Sequence, residues 1–197
     1  MKFLNYFTTH ADQESELISI KKTIGFDEAI IDSLTLLTRS IPKLLIDSKK
    51  HIYGLEFFGA RNKTEKIMEQ FHQKLRSQGY FLFYLSFFDN LGLIRSQDQF
   101  DILRYTEWWG FNEKITNKIE DQFMNLKVLY NKYHFEIHGG SEESLELYFP
   151  QIPESKLDQI KLVSAFESIF PDAEGPQTNL KQTLEIFTKT KSLTYRS

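Results

Sequence analysis

Thr116–Phe149 reads TNKIEDQFMNLKVLYNKYHFEIHGGSEESLELYF, and the change of rhythm inside it decides the fold class. Ile119, Phe123, Leu126, Tyr130 and Tyr133 recur at spacings of four, three, four and three. Such spacing puts them on one face of a helix with about 3.6 residues per turn. Thr116 precedes the run as an N-cap residue, and Glu120 and Asp121 fall where the helix dipole favours negative charge. Lys127 and Lys132 lie toward the opposite end. The period then becomes two. Phe135 and Ile137 point one way, and His134, Glu136 and His138 the other. Gly139-Gly140-Ser141 carries a turn signal. Beyond it Leu145, Leu147 and Phe149 alternate with Glu146 and Tyr148. The pattern predicts a helix feeding an antiparallel hairpin with one apolar and one polar face.

Upstream, the spacing predicts helices over Gln13–Ile24, stopped by Gly25, and over Asp27–Leu37, with Pro42 breaking what precedes it. Ile52–Phe58 reads as a strand. A helix follows that carries Ile67, Phe71 and Leu75. Tyr80–Phe88 is apolar on both faces, as a doubly covered strand would be. Asp89-Asn90 turns it back through Leu91–Ile94. Asp98–Trp109 reads as a helix stopped by Gly110. Downstream, Pro153-Glu154 opens a helix with Leu157, Ile160, Val163, Phe166 and Phe170 inward. Asn179 caps another, and Ser192–Arg196 reads as a last strand. The fold class expected is α+β, a mostly antiparallel sheet with helices packed on it. The chain reads as a single domain over residues 1–197, with an N-terminal helical extension over 1–50.

The 197 residues carry a net charge of −3 and no cysteine. The charge argues against nucleic acid as the partner, because phosphate neutralisation needs a concentrated basic surface. The lack of cysteine excludes disulfides, thiolate zinc sites and a cysteine nucleophile. Met1–Phe7 is too short for a secretion signal, and no apolar run approaches the roughly 18 residues of a membrane helix. A cytoplasmic protein without membrane contact is expected.

Asp98-Gln99-Phe100-Asp101-Ile102-Leu103-Arg104, Gly110, Asn112, Thr116, Ile119, Tyr133–Gly139 and Phe170-Pro171-Asp172 together resemble the bacterial family catalogued as domain of unknown function 4253, over roughly residues 80–197. Glu113, Asn117, Lys118 and the C-terminal Leu193–Ser197 depart from its pattern. The resemblance implies an α+β fold and no established reaction.

Three constellations carry candidate chemistry. His134, Glu136 and His138 share one strand face, residues two apart lying about 6.8 Å apart along it. His and Glu suit zinc or iron, with Glu146 across the hairpin as a further ligand; the alternative is a solvated polar strand face. Asp101, Arg104 and Trp108 follow at i, i+3 and i+7. They read either as a surface ion pair or as an Arg gripping a carboxylate or phosphate. Trp108 and the adjacent Trp109 leave a helix about 100° apart, so one is core and the other is a candidate protein-binding anchor. Gly54–Gly59 matches only the first half of a phosphate loop, since Ala60-Arg61 replaces the required Lys-Ser/Thr.

With no complete catalytic set visible, the expected function is a non-catalytic protein-binding module of toxin-immunity type. It needs no cofactor, and its partner is another protein. Trp108, Trp109, Asp101, Arg104, Glu142 and Glu143 are the contact residues, the glutamates with Glu136 and Glu146 meeting a basic partner. The alternative is a small metal- or ligand-dependent hydrolase using His134, Glu136 and His138, or Arg104.

Overall fold

The structure, a computed structural model, describes residues 10–59, 61–86, 90–106, 116–141, 144–170 and 179–196. Among them are seven helices and seven strands, in two compact units. One unit comprises Met1–Leu82 with Phe87–Gln97, the other Phe83–Ser86 with Asp98–Ser197. The α+β class is as the sequence predicts. Among the described residues no helix is long and apolar enough to cross a membrane.

In the first unit, α1 (His10–Ile24) stops at Gly25, whose φ of +66° suits a residue without Cβ. α2 (Glu28–Thr38) starts under Asp27, whose carboxylate accepts from the Ala29 N–H. Ile31 and Leu34 carry its buried stripe. Within residues 1–50 the structure adds a strand to the helices, β1 (Lys43–Ile46), which is too short to show a period and hides behind Pro42. An Asp47–Lys50 turn joins it to β2 (Ile52–Phe58), with Asp47 accepting from the His51 N–H. α3 (Arg61–Ser77) follows, then β3 (Tyr80–Ser86) and β4 (Asn90–Arg95). The strands run β1-β2-β4-β3. A Cβ on Gly54 would stand 2.6 Å from the Leu93 carbonyl oxygen, so β2 approaches β4 only because that residue is glycine.

The second unit holds the end of β3, then α4 (Asp101–Tyr105), α5 (Thr116–Tyr133), β5 (Glu136–Gly140), β6 (Ser144–Tyr148), α6 (Lys156–Ile169), α7 (Leu180–Thr190) and β7 (Ser192–Arg196). Its strand order is β3-β5-β6-β7. β5, β6 and β7 pair antiparallel, and β3 pairs with β5 in parallel at Tyr84↔Gly139. Phe135, Ile137, Leu145, Leu147, Phe149, Leu193 and Tyr195 are all buried, so alternation puts a continuous apolar layer on one face. Phe166 and Phe187, from α6 and α7, meet Phe149 in that layer at 5.5 and 5.2 Å between ring centroids.

The expected helix at Asp98–Trp109 is shorter at its start, beginning at Asp101, and Trp108 and Trp109 lie outside the described residues. The helix expected from Pro153 begins at Lys156, because Ser155 supplies the cap by accepting from the Asp158 N–H. Leu157, expected inward, is 59% exposed; the inner stripe is Leu162, Val163, Phe166 and Ile169. Gly139 and Gly140, read as a turn, belong to β5 instead. The chain reverses one step later, where Ser141 and Ser144 exchange hydrogen bonds of 2.9 and 3.1 Å.

The glycines serve packing. A Cβ on Gly140 would lie 3.0 Å from Ile102 Cγ2 and 3.2 Å from Thr106 Oγ1, so α4 sits directly on this end of β5. Gly140→Ala is expected to force that helix outward and cost about 1–3 kcal/mol. Urea denaturation of the variant measures it, and an unchanged midpoint would contradict the close approach.

Candidate functional site

α5 ends where Tyr130 carbonyl oxygen accepts from the His134 N–H at 2.8 Å. His134 itself has φ +49°, the left-handed conformation that commonly closes a helix. Its side chain is exposed and meets Tyr130 edge to face at 6.2 Å between centroids. His134 therefore acts as the stop of α5 and stands outside β5, not on its polar face. The reason lies in the backbone: the left-handed conformation of His134 breaks the helical run, and the chain extends from Phe135 onward.

Glu136 and His138 are brought together. Glu136 opposes Tyr148 on β6 and Ile137 opposes Leu147, but the next pair is Gly139↔Glu146. His138 is thus the extra residue of a bulge, a device that re-aims a side chain and sharpens the local twist. Its Nε2 lies 3.2 Å from Glu136 Oε2. Both side chains are mostly covered, 18% exposed for His138 and 11% for Glu136. An ionised carboxylate only accepts, so Nε2–H is the donor when the pair bonds directly. The His138 ring also stacks on Tyr148, 4.5 Å between centroids and 14° from parallel. Tyr148 is the cross-strand neighbour of Glu136, so the three side chains form one compact group. Glu146 faces the same side one pair further along, opposite Thr194 of β7.

Asp101 and Arg104 form a different arrangement. Arg104 Nη1 donates to Asp101 Oδ1 at 2.8 Å, and the guanidinium lies 4.9 Å from the Phe123 ring centroid. With Arg104 side chain 56% exposed, this is a solvent-screened pair at i, i+3 worth a few tenths of a kcal/mol. It ties α4 to α5. Glu142 and Glu143, like Trp108 and Trp109, lie outside the described residues.

Two contributors were not singled out by sequence reading. Tyr148 appeared only as the polar half of an alternating strand, and its register against Glu136 is the signal that places it. Gln99 is 4% exposed; its side-chain amide donates to the Phe135 carbonyl oxygen at 3.2 Å and accepts from the Ile137 N–H at 3.1 Å. No local pattern announces a contact across 36 and 38 residues.

The residues flanking Gln99 are fixed as well. Asp98 accepts from the Phe100 N–H at 3.0 Å and pairs with Lys127 Nζ at 2.9 Å. Burial works against ionisation of Asp98, but the Lys127 hydrogen bond, the Phe100 N–H and the charges of Lys127 and Arg104 outweigh it and hold the carboxyl below its ordinary value. Lys127 also lies over the Phe100 and Phe123 rings, at 5.3 and 5.2 Å.

A sheet with helices on its apolar face and a Glu–His pair on the other defines a small α+β unit with an organised polar group. The chain belongs to the family described as Domain of unknown function (DUF4253), whose profile matches residues 90–194. No curated protein and no solved structure matches it.

A carboxyl whose pKa is depressed by folding adds stability above its unfolded value and loses it as pH falls through the folded value. Lys127→Met is expected to flatten the acid limb of the stability curve. Between about pH 6 and about pH 3 the wild-type urea midpoint falls further than that of the variant. Parallel curves would contradict the assignment of Asp98.

Proposed function

We propose that the DUF4253 unit is a small metal-dependent enzyme of hydrolytic type, in which Glu136 and His138 supply two ligands to a divalent ion. The observation that carries this reading is the 3.2 Å separation between His138 Nε2 and Glu136 Oε2. Metal bonds of roughly 2.0–2.2 Å, at angles from octahedral to tetrahedral, hold neighbouring nitrogen and oxygen ligands roughly 3.0–3.5 Å apart. The pair therefore has the bite of two adjacent ligands. Its mostly covered position supports the same reading: a covered hydrogen-bonded pair adds little to stability, whereas a sheltered His and carboxylate are what ligation needs.

A bound ion would act as a Lewis acid and lower the pKa of a coordinated water. The remaining work falls to the chain. Alternation along β5 sets His138 on the side of Glu136, the Tyr148 ring fixes the imidazole plane by stacking, and the strand spaces the donors so that neither has to search for the ion. A catalytic ion keeps a coordination position open for water or substrate beside its protein donors.

The protein-binding module of toxin-immunity type has only Asp101 and Arg104 as described contact residues besides the strand glutamates, and these two already engage each other and Phe123. The geometry gives that reading no comparable observation.

Titration of dialysed protein with Co²⁺ or Zn²⁺ tests the proposal. One ion per chain is expected. Glu136→Gln and His138→Ala are each expected to weaken binding by about tenfold or more, while His134→Ala leaves it unchanged. A wild-type protein that takes up no ion, or one whose affinity survives both substitutions, would refute the reading.

A further inference from the structure

We infer that Gln99 is the positioning residue of the Glu136–His138 pair. Its amide grips the two peptide groups on either side of Glu136: Nε2 donates to the Phe135 carbonyl oxygen, and Oε1 accepts from the Ile137 N–H. In an extended strand those two groups point the same way, and they are the groups that a neighbouring strand would otherwise engage. β3 pairs with β5 at Tyr84↔Gly139, so near residues 135–137 the Gln99 side chain takes the place of a strand. Fixing both flanking peptides fixes the Cα–Cβ direction of Glu136, and with it the carboxylate that meets His138.

The clamp is itself held from three directions. Asp98, one residue before, is pinned to α5 through Lys127. Phe100, one residue after, sits edge-on to Phe123, Tyr130 and Phe135 at 5.4, 5.7 and 6.2 Å between centroids. Further along, Ile102 and Thr106 rest on Gly140 at the far end of β5. α4 and the residues leading into it thus hold β5 at both ends, and His138 bulges from the segment between. Phe135 and Ile137 are also the two apolar anchors of that segment, 0% and 1% exposed, so an unbonded carbonyl or N–H there would have no water to turn to.

Ligation by the pair belongs to the function proposed above, but the positioning role is read independently of any ion. Ring-¹⁵N histidine spectra, taken on the alkaline side of the ordinary histidine range, report which nitrogen of His138 carries the proton. The wild type is expected to show Nε2–H, the tautomer that donates to Glu136. Gln99→Met keeps the length and removes both hydrogen bonds; its His138 signals are expected to move toward those of Glu136→Ala. Gln99→Glu keeps an acceptor for the Ile137 N–H and is expected to move less, and it carries the measurement should Gln99→Met fail to fold. A folded Gln99→Met, or failing that Gln99→Glu, whose His138 signals coincide with the wild type overturns the inference.

In the same proteins Co²⁺ affinity is expected to fall about tenfold in Gln99→Met. No further loss is expected when that change is added to Glu136→Ala, because both act on one donor. A wild type that binds no Co²⁺ sinks the metal reading alone, and the ring spectra still decide the role of Gln99.

Discussion

The Phe135 side chain is where the second unit is tied together. It is fully buried and meets Phe100 before α4, Tyr130 of α5, Phe149 after β6 and Phe166 of α6, with ring centroids 5.3–6.2 Å apart. Three of the four contacts are close to perpendicular, the arrangement that brings a positive ring edge onto a negative face. Each such contact adds roughly 0.5–1.5 kcal/mol beyond burial. More important is where Phe135 lies in the chain. It follows the residue that stops α5 and precedes the first residue of β5, so packing this one ring fixes how the helix hands over to the strand.

The polar group is a consequence of that handover. With Phe135 and Ile137 committed to the apolar layer, alternation sends Glu136 to the opposite face. Alternation sends His138 to that side too, and Tyr148 arrives by register from β6. A Glu–His pair kept mostly from water adds little to folding by itself, and a strand face built only for stability would do as well with apolar or solvated residues. The surrounding backbone nevertheless spends a buried glutamine, a left-handed histidine and two glycines on holding this segment in place. This concentration of local constraint around one polar pair is what the proposed site rests on.

Much of the architecture was legible because it rests on period. The Thr116–Tyr133 helix, the alternation through Leu145–Phe149, the cap at Asn179 and the last strand follow from spacing and capping chemistry that operate over a few residues. β1 was not legible, because four residues behind a proline carry no usable period. Gly139-Gly140 was read as a turn because glycine pairs commonly are turns; here Gly140 is small so that α4 can rest against the strand, a reason lying some 35 residues away in sequence, while Gly139 lies against Glu146 and Tyr84. The candidate site shows the same division. Residue type and spacing pointed to Glu136 and His138. They also pointed to His134, whose place was decided by the left-handed backbone closing α5. Gln99 stood in the family-like run Asp98–Arg104, but its role was not legible, because its partners are peptide groups and peptide groups leave no trace in a sequence.

Native-state hydrogen exchange at the Ile137 amide tests the central claim most directly. That N–H donates to Gln99 Oε1 beneath the ring cluster. If the Phe135 packing and the glutamine clamp together hold the helix-to-strand junction, the amide opens only when the whole unit unfolds, and its exchange free energy equals the global value. Exchange at a rate typical of a fraying strand end, far below that value, would contradict the account.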